Sequence, residues 1–122
     1  MTFGIFPQPA PFKEKSRVYD LKSRLDWGEP ALTIIDVRDR ATFNQGHIMG
    51  AISFPREEVI SRTESNLERD RDLYIYSDTD EETADVANRL REAGFKRVAE
   101  LTGGLGAWKA ADYPVEATST VA

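Results

Sequence analysis

Asp72-Leu-Tyr-Ile-Tyr-Ser-Asp-Thr-Asp-Glu-Glu-Thr-Ala84 carries three kinds of local structure in succession. Leu73, Tyr74, Ile75 and Tyr76 form an apolar run of aromatic and β-branched types, suited to a buried strand. Ser77 opens a polar loop. Beyond it Thr83, Val86, Ala87, Leu90 and Ala93 recur at the spacing of an amphipathic helix. A strand that runs through a tight loop into a helix N-terminus is where α/β proteins hold anions or nucleophiles. Here the loop carries Asp78, Asp80, Glu81 and Glu82. A place suited to negative charge is itself negative.

The rest of the chain supplies partners for that strand. Ala31-Leu-Thr-Ile-Ile-Asp36 is a second compact apolar run, as expected of a parallel strand covered on both faces. A charged turn over residues 37–40 leads to a short helical segment, Ala41-Thr-Phe-Asn-Gln-Gly46, closed by glycine. His47-Ile-Met-Gly-Ala-Ile-Ser-Phe-Pro55 reads as a loop feeding a short strand around residues 51–54. Residues 56–60 read as another short helix with Glu57 and Glu58 in its first turn, and 61–71 as polar and loop-like. Downstream, Gly94 ends the central helix and Arg97-Val-Ala-Glu-Leu101 is a further strand. Thr102-Gly-Gly-Leu-Gly-Ala-Trp108 is a tight turn in which Gly103 and Gly104 meet a need for positive φ, followed by a last short helix. Trp108 and Phe43 are expected in the core. Upstream, Ser16 is placed to cap a helix with Val18, Leu21 and Leu25 on one face, stopped by Gly28-Glu29-Pro30.

Strands alternating with helices at this density predict an α/β domain with a mostly parallel sheet, here over residues 16–116. Residues 1–15, with Pro7, Pro9 and Pro11, are expected to be an extended arm. Phe3, Phe6 and Phe12 are the side chains that would pin it; a loose tail is the other reading. Tyr113-Pro-Val closes the domain, and residues 117–122 are expected to be a disordered tail.

The totals remove whole classes of function. The 122 residues suffice for one domain with its own core. Net charge is −5, and Lys and Arg are scattered among acids, which argues against nucleic acid or a membrane surface as partner. No stretch approaches the roughly 20 apolar residues of a membrane span. There is no cysteine, so disulfides, thiolate metal sites and cysteine chemistry are excluded. His47 is the sole histidine, which excludes a histidine-cluster metal site. No cofactor is expected. The N-terminus lacks a basic n-region and its prolines interrupt any apolar one, so a cytoplasmic protein is expected.

Three segments resemble the rhodanese homology domain. Ile35-Asp-Val-Arg38 is similar to that family's first-strand signature, Phe43-Asn-Gln-Gly-His-Ile-Met-Gly-Ala51 to its second, and Leu101-Thr-Gly-Gly-Leu-Gly-Ala-Trp108 to its C-terminal turn and helix. They fall in family order over nearly the whole chain. The resemblance implies a three-layer domain: a central five-stranded, mostly parallel sheet with helices on both faces. It also places the family's active loop after the central strand, where single-domain sulfurtransferases often read Cys-x-x-Gly-x-Arg-Ser. In this sequence Ser77 stands at the cysteine position, Asp80 at the glycine, Glu82 at the arginine and Thr83 at the final serine.

Sulfur transfer in the family runs through a cysteine persulfide, which a serine oxygen cannot form. The four carboxylates of the loop also oppose an incoming anion, each at a cost on the order of 1 kcal/mol near a surface. Thiosulfate and phosphate are both disfavoured. The degenerate loop Ser77, Asp78, Thr79, Asp80, Glu81, Glu82, Thr83 is therefore assigned no catalytic residue. Its acids have a purely structural explanation: Thr79 and Glu82 fit a capping box, and acids in a first helical turn complement the macrodipole. The functional expectation is an inactive domain acting as a binding or regulatory module, its loop offered to a basic patch on a protein partner. Candidate binding residues are Asp36, Arg38, His47, Asp78, Asp80, Glu81 and Glu82. For Asp36 and Arg38 the competing reading is a turn cap and an ion pair that fix loops. Three alternatives accompany the expectation: a hydrolase using Ser77 with His47 as base, a sulfur relay in which a partner supplies the cysteine, and a Ca²⁺ or Mg²⁺ site at Asp78, Asp80 and Glu81, whose spacing fits no complete ion loop.

Overall fold

A computed structural model describes residues 12–28 and 31–118. In chain order the elements are β1 (Lys15–Ser16), α1 (Val18–Trp27), β2 (Leu32–Asp36), α2 (Arg40–Gln45), β3 (His47–Ile48), β4 (Ile52–Ser53), α3 (Val59–Asn66), β5 (Asp72–Tyr76), α4 (Asp80–Glu92), β6 (Val98–Leu101), α5 (Gly104–Ala110) and β7 (Val115–Glu116). Five strands form one sheet in the order β1-β6-β5-β2-β4, every neighbouring pair parallel. β5 lies at the centre and is buried along its whole length, which is why its run is apolar without interruption.

Alternation along the strands divides the core in two. Leu73 and Ile75 of β5, with Ile35 of β2, face α3 and α4 and pack with Val59, Val86, Leu90 and Phe95. Tyr74 and Tyr76, with Ile34, face the other side and pack with Leu21 of α1 and Trp108 of α5. Successive strand side chains point to opposite faces, so one strand supplies both cores. Each such side chain, fully buried, contributes about 1.5–3 kcal/mol. The expected three-layer α/β arrangement is the one observed.

The local departures from the sequence reading have physical causes. Ser16 is not a helix cap. It is buried in β1 opposite Leu101, its carbonyl accepts the Thr102 N–H at 2.9 Å, and Arg17 takes the cap position. The short helix expected over residues 56–60 instead runs over 59–66, into the stretch expected to be loop-like, because Val59 and Thr63 are fully buried one turn apart and Leu67 joins the same cluster. That face is too narrow and too polar to announce itself in the sequence. Glu58 becomes the N-cap position of α3 and Glu57 falls outside the helix, so neither lies in its first turn. A further pair was not foreseen: β3 and β7 form an antiparallel ribbon, His47 opposite Glu116 and Ile48 opposite Val115. Phe12 lies edge-on to Tyr74 at 5.6 Å between ring centres; Phe3, Phe6 and residues 119–122, on which the other arm and tail expectations rest, are outside the described residues. Among the described residues no helix is long and apolar enough to cross a membrane, and no group of three or more His, Cys, Asp or Glu is arranged to hold a metal ion.

Candidate functional site

The register of the sheet assembles the site. Asp36, the last residue of β2, is level with Tyr76, the last residue of β5, and Ser53 of β4 is level with Asp36. Val37 and Ser77 therefore leave the sheet side by side, tied by the Val37 N–H donating to the Tyr76 carbonyl at 3.1 Å. The segment carrying Arg56 and Glu57 leaves β4 beside them. C-terminal ends of parallel strands are where such sheets gather ligands, and a cleft of about 190 Å³ opens there, lined by Val37, Arg38, Asp39, Arg56, Glu57, Ser77, Asp78 and Glu82.

Its floor is a buried ion pair. Asp36 is wholly inaccessible, and both its oxygens accept from the Arg38 guanidinium, the shortest contact being 2.6 Å. The same carboxylate accepts the Arg38 backbone N–H at 2.9 Å, and the guanidinium also donates to the Gly46 carbonyl at 2.6 Å. Burial alone lowers the Arg38 pKa, but the hydrogen bonds and charge of Asp36 outweigh it and raise the group above its ordinary value. Beside it, burial first and the charge of Asp36 second push the Tyr76 phenol well above the ordinary tyrosine range. That hydroxyl accepts the Ile48 N–H at 3.0 Å. Asp36 and Arg38 thus fix the loops around the cleft, the turn-cap and ion-pair reading.

Ser77 is only 6% exposed, and its hydroxyl donates to Glu82 Oε1 at 3.1 Å. Glu82 Oε2 accepts from Arg56 at 3.2 Å. The capping box is therefore half made. The Thr79 hydroxyl accepts the Glu82 N–H at 3.1 Å, but the Glu82 carboxylate reaches into the cleft instead of returning to the Thr79 N–H. Arg56 is not among the candidate site residues read from the sequence, where it only opened an expected short helix. The signal that could have found it is its place just past Pro55 at the end of a parallel strand, the same edge as Ser77.

The acidic loop does not form a single rim. Asp78, just before the N-cap of α4, and Glu82, in its first turn, face the cleft just described. Asp80 and Glu81 instead border a second cleft of about 300 Å³ with Lys15, Thr83, Ala84, Glu100 and Thr102. Asp80 Oδ1 accepts the Gly103 N–H at 2.9 Å, tying α4 to the turn before α5. That turn must be glycine: Gly104 has φ +51°, and a Cβ there would lie 2.9 Å from the Ser77 carbonyl oxygen. In the first cleft the pairs Asp36–Arg38 and Arg56–Glu82 balance, leaving Asp39, Glu57 and Asp78 to make it acidic.

His47 stands elsewhere. Its ring stacks on Phe43 at 3.7 Å, Nδ1 is 2.8 Å from the Phe43 carbonyl oxygen, and Nε2 faces Glu116 at 3.6 Å. Both nitrogens are turned toward groups other than Ser77, whose own proton goes to Glu82, so a serine–histidine pair is not assembled.

A family model for the Rhodanese-like domain matches residues 17–111. The crystal structure of the Alr3790 protein from Anabaena sp. is similar at 55% identity and a TM-score of 0.83, over 84% of this chain and 80% of that one. A sulfurtransferase of Allochromatium vinosum is 32% identical over 97 residues, 80% of this chain and 89% of its own length. The uncharacterized protein YibN of Escherichia coli is 29% identical over 84 residues, 67% of this chain, and the match spans only 59% of YibN.

Proposed function

Because the chain belongs to the rhodanese-like domain family, we propose that it is a member without sulfurtransferase activity that serves as a binding or regulatory module. One observation carries the reading. The side chain at the nucleophile position is a buried serine whose hydroxyl is engaged by a carboxylate of the same loop. A hydroxyl cannot form the persulfide, and a carboxylate beside it opposes both a nucleophilic anion and an anionic donor. What the loop presents outward is negative: Asp78 with Asp39 and Glu57 over one cleft, Asp80 and Glu81 over the other. A protein surface rich in Lys or Arg is the complementary partner, drawn by charge and held with strong salt dependence.

Two assays test this. Incubation with thiosulfate and cyanide should yield no thiocyanate above a Ser77→Ala control; turnover that disappears in the control overturns the inactive assignment. Partners recovered with the wild-type chain should be lost from Asp78→Asn/Glu57→Gln or from Asp80→Asn/Glu81→Gln, and should elute as salt rises. Recovery unchanged at low salt in both variants removes the loop from partner binding. The hydrolase alternative has no geometric support, since His47 is oriented by Phe43 and Glu116.

A further inference from the structure

We infer that Glu82 is an autoinhibitory plug: its carboxylate is the built-in occupant of an oxoanion site formed by the Ser77 hydroxyl and the Arg56 guanidinium. The inference rests on reading this loop as a surface that binds and does not react. Beneath the acidic rim that would meet a basic partner, it assigns the Ser77 and Arg56 donors an internal carboxylate and says why they are closed to external anions. Three observations support it. A carboxylate is seen held there, one oxygen by a buried hydroxyl at 3.1 Å and the other by a guanidinium at 3.2 Å. The pair spans 26 residues of sequence, so it is set by the fold and not by local helix geometry. Arg56 also keeps a donor in reserve, since its Nε is buried with no hydrogen-bond partner among the described residues. A single carboxylate oxygen leaves that N–H unused. A planar or tetrahedral oxoanion presenting two acceptors to the guanidinium fork engages both nitrogens.

The plug can move. Glu82 and Arg56 have side chains 37% and 42% exposed, unlike the sealed Asp36–Arg38 pair beneath them. While Glu82 stays, an external anion meets its charge at contact distance and is excluded. Once Glu82 is drawn away or neutralised, the Ser77 hydroxyl and the Arg56 guanidinium lose their internal carboxylate, with Asp39, Glu57 and Asp78 still bordering the cleft.

Inorganic sulfate is the probe, titrated at constant ionic strength against chloride and followed by amide and arginine side-chain NMR. The wild type should show no saturable shift. Glu82→Ala and the more conservative Glu82→Gln should each bind sulfate at least tenfold more tightly than wild type, with shifts centred on residues 77–82 and on Arg56 Nε–H. Adding Arg56→Gln to either should abolish the gain. Sulfate affinity in both Glu82 variants no higher than in wild type, or a gain that survives Arg56→Gln, overturns the inference. Neither result depends on a protein partner, so failure here leaves the pull-down outcome untouched, and the reverse.

Discussion

At 3.1 Å from the Ser77 hydroxyl, the Glu82 carboxylate governs what any side chain at position 77 can do. A cysteine there would meet a negative charge where active thiols meet positive ones, and its pKa would rise above the ordinary value of about 8.5. Ser77→Cys alone should therefore give no useful thiocyanate production, and the pH profile of its alkylation should place the thiol above that value. Adding Glu82→Gln should bring the profile down. A single mutant that alkylates as a low-pKa thiol contradicts the geometry. Part of this was legible in the residues: the missing cysteine and the acid at the arginine position stand in plain view. The destination of Glu82 was not. Thr79-x-x-Glu82 spells a capping box whether or not its glutamate turns back, and the partner that draws it away, Arg56, lies on a different element.

Among the elements, the loops around the cleft depend on a few short contacts. Asp36→Ala leaves the Arg38 guanidinium, 8% exposed, without its carboxylate. Breaking a buried pair from one side costs about 3–5 kcal/mol, and urea denaturation should show a loss of that order. Thr79→Ala removes one N-cap acceptor from α4 and should cost about 1 kcal/mol. The Thr42 N–H holds the Asp39 carboxyl below its ordinary range at the start of α2. Its contribution is complete above the unfolded value of about 3.9 and is lost as pH falls through the lower folded value. Asp39→Asn should flatten that section of the acid-unfolding curve. Helices α1 and α4 could be read from periodicity because three or more apolar positions repeat on one face. The helix α3 could not, since its inward face offers little beyond Val59 and Thr63. The β3–β7 ribbon was equally hidden: two residues a side carry no period at all.

In the molecule as a whole, one sheet joins two cores that share its strands. Ile75→Ala removes packing on the α3–α4 side and should cost about 2–5 kcal/mol, and Trp108→Ala on the α1–α5 side about 3–5 kcal/mol. Neither should split the transition, so circular dichroism and fluorescence should report the same midpoint. Separate midpoints would show that the layers melt independently. The overall architecture was legible because three distinctive segments lie in order along the chain and the central strand is apolar on both faces. The division of the acidic loop between two clefts was not, because sequence order says nothing about which way successive side chains at a helix start will turn.

The position of β1 has a consequence for how the protein is made. Lys15 and Ser16 pair with Glu100 and Leu101, so the first strand of the sheet waits for the last. A ribosome adding about 5–20 residues each second must synthesise nearly the whole domain before that edge can close, while the apolar runs of β2 and β5 emerge without it. Stalled nascent chains that expose residues up to Arg97 should remain open to protease, and protection should arrive in one step once Leu101 has cleared the exit tunnel.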